Sequence, residues 1–232
     1  MNAFWLLPCA AFSSLACGAT IDPLGHDPAG ASESQAPDSD TLQPLAGPAA
    51  YESPFQELLG KTEQEVDAKL NSAFQRLFHG DIASQAIYFT VGDDQAYIQD
   101  ILHGDVRSEG VALGMLIALE LDRREELDKL WTFAAAALRY QNGPQSGYFR
   151  STCADGACVD PYGQQTLAMA LLFAHGRWGS HSGAIDYGSE ALQLLDVMWH
   201  KEEQNGGIVA GGTNFFDASS SLAVDEPTIE RA

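Results

Sequence analysis

From about residue 62 onward, apolar residues recur along this chain with helical spacing, in two manners that alternate. Val66, Leu70, Phe74, Leu77 and Phe78 stand three and four apart after Thr62-Glu63, which predicts one amphipathic helix ending at Gly80. Residues 86–104 then read as an extended connection holding the β-favouring Ile87-Tyr88-Phe89-Thr90-Val91. The stretch 108–121 is apolar almost all round and predicts a buried helix. The next, 123–140, sets Arg123, Arg124, Glu125, Glu126, Asp128, Lys129 and Arg139 against Leu127, Leu130, Trp131, Phe133 and Leu138, so it predicts a half-exposed one. The pattern repeats, with 162–175 apolar through Leu167, Met169, Leu171, Leu172 and Phe173, and 184–200 two-faced through Ile185, Leu192, Leu195, Val197 and Met198.

Buried and half-exposed helices in alternation are what paired antiparallel helices need when one layer touches protein on every side and the other faces water. The expectation is therefore an all-α fold. Upstream the pattern differs. Phe4 to Phe12 is a short apolar run followed by Ser13-Ser14-Leu15-Ala16-Cys17-Gly18, too short to span a bilayer, and residues 1–18 read as an export signal peptide. Cleavage after Gly18 competes with lipidation of Cys17, since Leu15-Ala16-Cys17 resembles a lipoprotein box with its leucine one place close to the cysteine. Residues 19–54 contain no lysine or arginine and carry prolines at 23, 28, 37, 44, 48 and 54, which predicts a disordered acidic tether ahead of a catalytic domain over 55–232.

The chemistry concentrates where the first all-apolar helix begins, at Asp105-Val106-Arg107-Ser108-Glu109-Gly110. Ser108 is placed to cap the helix by accepting a backbone N–H, and Gly110 permits close approach of another chain or a ligand. Glu109 then faces whatever cavity the helix lines. An acid in a first helical turn also simply complements the helix dipole, and the six residues alone leave both readings open.

Beyond those six, Ile87-Tyr88-Phe89, Asp100-Ile101-Leu102, Leu121-Asp122, Leu130-Trp131, Gly147-Tyr148-Phe149 and Leu171-Leu172-Phe173-Ala174-His175-Gly176-Arg177-Trp178-Gly179 follow in order. Together they resemble glycoside hydrolase family 8, the inverting endoglucanase, xylanase and chitosanase family, whose acid sits in a D-x-R-[ST]-E-G motif. The resemblance implies an α/α toroid of six helical hairpins and hydrolysis of β-1,4-linked glucan, xylan or chitosan. It implies Glu109 as general acid, with Asp105 and Arg107 orienting it, and Tyr162, Asp160 and Trp178 on the substrate side. Tyr162 stands where many members carry an aspartate that contacts the sugar; Asp160, two residues earlier, serves only if the loop shifts. Ser151 stands where a tryptophan often follows the Gly-Tyr-Phe segment.

About five helices are countable where the family toroid needs about twelve, so the chain reads as roughly the first half of that fold. An inverting hydrolase needs a second carboxyl about 6.5–9.5 Å from the first to activate water. No position here matches the family's base. Weak hydrolysis by this chain alone follows, together with inner apolar faces that lack partners; the alternative is an inactive fragment or a carbohydrate-binding remnant.

Composition narrows the partners. With 32 acidic against 12 basic residues the formal charge is −20, which disfavours nucleic acid and anionic membrane surfaces and suits an uncharged or cationic glycan, with membrane attachment arising only through lipidated Cys17. His175, His181 and His200 lack metal-site spacing, so neither metal nor cofactor is expected. Cys153 and Cys158 flank Ala154-Asp155-Gly156-Ala157, the turn of a disulfide clasp in an exported chain. The expected location is extracellular, periplasmic or anchored to a bacterial envelope.

Overall fold

Helix α2 (Glu63–His79) begins where its sequence predicts, because Thr62 and Glu65 cap it reciprocally: Glu65 N–H donates to Thr62 Oγ1 (3.2 Å) and Thr62 N–H to Glu65 Oε2 (2.9 Å). The computed structural model describes residues 54–153, 158–179, 185–207, 212–217, 219 and 222–223. The export signal and nearly all of the tether lie outside these residues. A short helix, α1 (Pro54–Leu59), precedes α2 at the boundary where only tether was expected. Only Phe74 and Phe78 of α2 are buried; they stack on each other at 4.3 Å, and Phe78 stacks on Tyr88 at 5.0 Å.

The extended connection folds into a hairpin, β1 (Tyr88–Val91) against β2 (Gln95–Asp100), antiparallel with Tyr88 opposite Ile98. A two-residue strand, β3 (Asp105–Val106), pairs on the other side of β2 with Asp105 opposite Asp100. Strand β2 buries Ala96 and Ile98. Gly114 of the next helix rides directly over Ile98, where a Cβ would come within 2.6 Å of its Cγ1.

Four long helices follow. Helix α3 (Ser108–Glu120) turns sharply through Asp122, whose φ is +57°, into α4 (Arg124–Phe133). A π-helical turn extends α4 over Ala134–Leu138 and closes with Arg139 N–H on Ala134 C=O at 3.1 Å. Helices α5 (Pro161–Trp178) and α6 (Tyr187–Gln204) complete the second pair, α6 bending at His200. Leu127, Leu130, Trp131 and Leu138 are buried as their spacing predicts, and Trp131 is structural. Two further short strands, β4 (Phe216–Asp217) and β5 (Leu222–Ala223), pair antiparallel.

Helices α3 and α5 run side by side in the same direction, which both ends establish. At their starts Ser108 Oγ donates to Asp160 Oδ2 (3.2 Å), and at their finishes Arg177 Nη1 donates to Leu119 C=O (2.7 Å). They form the inner layer, with α4 and α6 returning behind them. A buried amide stitches the inner layer to the segment after α4: Gln164 is fully buried, donates from Nε2 to Phe149 C=O (2.6 Å) and accepts Phe149 N–H at Oε1 (2.9 Å). No described helix is long and apolar enough to cross a membrane.

Candidate active site

Three pieces of chain converge on the start of α3. Its N-cap, Arg107, pairs in a β-bridge with Thr152, and Ser108 N–H donates to Ser151 C=O at 3.0 Å. Ser151 N–H in turn donates to Cys158 C=O at 2.7 Å, and Arg150 bridges Val159, so residues 150–152 lie between the start of α3 and the segment leading into α5. Cys158 is disulfide-bonded. The turn at 154–157 lies outside the described residues.

Ser108 does not cap α3 as its sequence position suggests. It is the first helical residue, fully buried, and its hydroxyl points sideways as a donor to Asp160. The physical reason is Asp160, the N-cap of α5, whose Oδ2 accepts both Ser108 Oγ and Gly163 N–H (3.0 Å) and so ties two helix starts with one carboxylate oxygen. Gly163 is required by that closeness, since a Cβ there would stand 2.4 Å from Ser108 Oγ. Asp160 is thus structurally employed. Tyr162 sits in the same first turn of α5 and shares this end with Glu109.

Glu109 lies in the first turn of α3, as the motif predicts, but it is exposed rather than enclosed in a groove. The stripe it heads explains this. Along α3 the exposed positions are Glu109, Leu113, Ile117 and Glu120; along α5 they are Gln165, Met169, Phe173 and Arg177. These are single faces of two adjacent helices, so helix 108–121 is not buried all round. Four large apolar side chains on that face are about 40% exposed, and no described residue closes over them.

Beside Glu109, Arg107 is held by two acids. Its Nε donates to Asp105 Oδ1 (3.1 Å) and its Nη2 to Asp105 Oδ2 (3.4 Å), while Asp100 Oδ2 pairs with the same Nε at 3.0 Å. Asp105 hydrogen bonding, above all, strengthens the hold of Arg107 on its proton. Asp100 has both oxygens engaged: Oδ1 accepts Leu102 N–H (2.8 Å) and His103 N–H (3.1 Å), and Oδ2 faces His103 Nδ1 at 2.7 Å. The His103 contact and the two amides hold its carboxyl below the usual range against the opposing effect of burial. The ligand atoms of Asp100, His103 and Asp105 lie within 4.8 Å of one another, yet the guanidinium already supplies the cation on which they converge. Sequence reasoning gave Asp100 and His103 no role; the cue was an aspartate three residues before a histidine in a tight connection, an arrangement that favours Asx turns.

Trp178 does not join this site. It closes the far end of α5, where Nε1 donates to Asp122 Oδ1 (2.8 Å) beside Tyr187 (ring centroids 6.1 Å apart). Helix α3 has 13 residues, so its two ends are about 20 Å apart at the normal helical rise. Tryptophan at the end of an apolar helix carries a sugar-stacking surface and a core-packing surface alike, and here the indole N–H serves the latter.

Comparison with known proteins covers the same region. Residues 99–227 match glycosyl hydrolases family 8. The chain is 37% identical over 153 residues to a reducing-end xylose-releasing exo-oligoxylanase of Paenibacillus barcinonensis, a span covering 64% of this chain and 40% of that protein. It is 31% identical over 111 residues to endoglucanase 2 of Ruminiclostridium josui, covering 45% and 23%. The structure of the P. barcinonensis enzyme complexed with xylose aligns with a TM-score of 0.62 at 32% identity, over 72% of this chain and 44% of that one. Family structures of this kind are barrels of six α-helical hairpins, and the chain spans less than half the length of these relatives.

Proposed function

Since the chain belongs to glycosyl hydrolases family 8, we propose that it contributes the acid side of a site that hydrolyses β-1,4-linked xylo-oligosaccharides by inversion, with Glu109 protonating the departing sugar oxygen. The observation that carries this is the position of Glu109: first turn of an inner helix, side chain open to a ligand, with the Arg107 guanidinium already claimed by Asp105 and Asp100. A general acid has to meet its substrate oxygen at hydrogen-bond distance, which an exposed carboxyl at the head of a helical stripe permits. Xylan chemistry is preferred over glucan because two named exo-oligoxylanases match at 37% and 32% identity over more of the chain than the endoglucanases do.

Inversion needs a base that activates water on the opposite side of the sugar. Asp160 is a poor choice, because its Oδ2 is spent on Ser108 and Gly163. The base is therefore assigned to none of the described residues, which keeps a second reading in play, that of sugar binding without turnover. Reducing-sugar release from xylo-oligosaccharides, soluble glucan and chitosan, beside calorimetric titration with the same sugars, tests the two together. Release from the xylo-oligosaccharides that Glu109→Gln abolishes supports the hydrolase; binding with no release supports the second reading; neither overturns both. Export and Cys17 lipidation complete the proposal, and radiolabelled fatty acid incorporation that survives Cys17→Ser would refute the anchor.

A further inference from the structure

We propose that Asp100 is a positioning residue for the Glu109 carboxyl, acting through Arg107: it keeps the guanidinium pinned in the β2–β3 loop and so prevents it from pairing with Glu109. The inference rests on the reading of Glu109 as an acid. Arg107 is two residues before Glu109 and caps the helix on which Glu109 stands. A long, permanently charged side chain at that place has an obvious alternative partner in the exposed carboxylate, and pairing there would hold Glu109 ionised, the wrong state for a proton donor.

The geometry removes that alternative. Asp105 takes Nε and Nη2, and Asp100 Oδ2 meets the same Nε at 3.0 Å from across the strand pair β2–β3. Asp100 is the better anchor of the two, because two backbone amides fix its Oδ1 while His103 fixes its Oδ2 from the other side. Two carboxylates on one guanidinium leave little positive charge unclaimed at the head of α3. The charged and titratable groups at this end are Arg107, Asp105, Asp100 and His103 from the loop, and Asp160 and Tyr162 from the first turn of α5.

The test is a double-mutant cycle read by carbon NMR of the Glu109 side chain, assigned with Glu109→Gln, on the full chain. In Asp100→Asn the Glu109 titration midpoint is expected to fall by about 0.3–1 pH unit, because a released guanidinium favours the carboxylate. A lost negative charge alone would act in the same direction, so the same substitution is repeated in an Arg107→Gln background, where the shift is expected to shrink to under about a third. Equal shifts in both backgrounds would show that Asp100 acts only through its own field, and no shift in the parent would show a merely structural loop residue; either result overturns the proposal. Should Asp100→Asn fail to fold, Asp100→Ser keeps an acceptor for the Leu102 and His103 amides and carries the same comparison. Where the chain turns over xylo-oligosaccharide, the alkaline limb of kcat/KM moves down with the midpoint. Absence of turnover bears on the hydrolase reading and leaves the titration result standing.

Discussion

The two ends of the α3–α5 pair are built from similar materials and do opposite things with them. At the far end Arg177 bonds to Leu119 C=O and lies 3.5 Å from Asp122 Oδ1, Trp178 bonds to the same Asp122, and Tyr187 hydrogen-bonds Asp128 while accepting from Arg124 Nε at 3.0 Å. Nearly every polar group there holds protein to protein. At the near end Asp160, Ser108 and Gly163 do the fastening, and the acids around Arg107 neutralise it, which leaves Glu109 with its carboxyl open to solvent. A site is recognised here by a group the scaffold does not use, beside groups that it does.

The largest effect expected from that contrast is on chemistry. Whatever rate of xylo-oligosaccharide hydrolysis the chain supports, Glu109→Gln should lower it about 10²–10⁴-fold with the fold retained by circular dichroism. An unchanged rate would move the acid elsewhere and dissolve the contrast. Next comes the near-end fastening: Gly163→Ala forces a methyl onto Ser108 Oγ and Asp160 Oδ2, at 2.4 and 2.6 Å, and should cost about 1–3 kcal/mol in a denaturant titration. A neutral result would mean the two helix starts separate easily.

Trp178→Phe sharpens the comparison from the other side. It removes the indole donor to Asp122 and should cost about 0.5–1.5 kcal/mol while leaving calorimetric sugar affinity unaltered. A fall in affinity with stability intact would return Trp178 to the substrate. The smallest expected effect is in pH dependence, where the two ends should differ in sign. Burial, then the Asp128 contact, raises the Tyr187 hydroxyl above its ordinary value, so its contribution is complete below about pH 10 and is lost as pH climbs beyond that. Asp100 is depressed, so its contribution is present above about pH 4 and lost as pH falls further. Stability curves of Tyr187→Phe and Asp100→Asn should each flatten one limb only; both flattening the same limb would contradict the assignment.

How much of this was legible in the sequence follows from what each pattern encodes. Periodicity reports burial, so α2, α3, α5 and the buried face of α4 were readable within a few residues, as was the structural role of Trp131. The motif put Glu109 in a first helical turn, where it stands. Periodicity cannot say which neighbour is present, so the open stripe through Leu113, Ile117, Met169 and Phe173 was read as buried. Nor can one-dimensional spacing pair residues 52 apart, which is why Ser108 looked like a cap for its own helix when it serves the cap of another. Asp100 was missed for a related reason: its partners come from a turn and a strand that only the fold brings together.

The π turn over Ala134–Leu138 makes the outer layer sensitive to length by a single residue. Such a turn accommodates one residue more than an α-helix would over the same rise, and a run of four alanines lets it do so without crowding. Removing one alanine would restore ordinary winding and rotate everything downstream by about 100° about the helix axis. Arg139, whose guanidinium reaches Glu190 at 2.7 Å and covers the rings of Trp131 and Phe149 at 5.2 and 5.1 Å, would then point elsewhere. The spare residue works as a phase adjuster, which makes that polyalanine run a place where insertions and deletions change docking angle more than content.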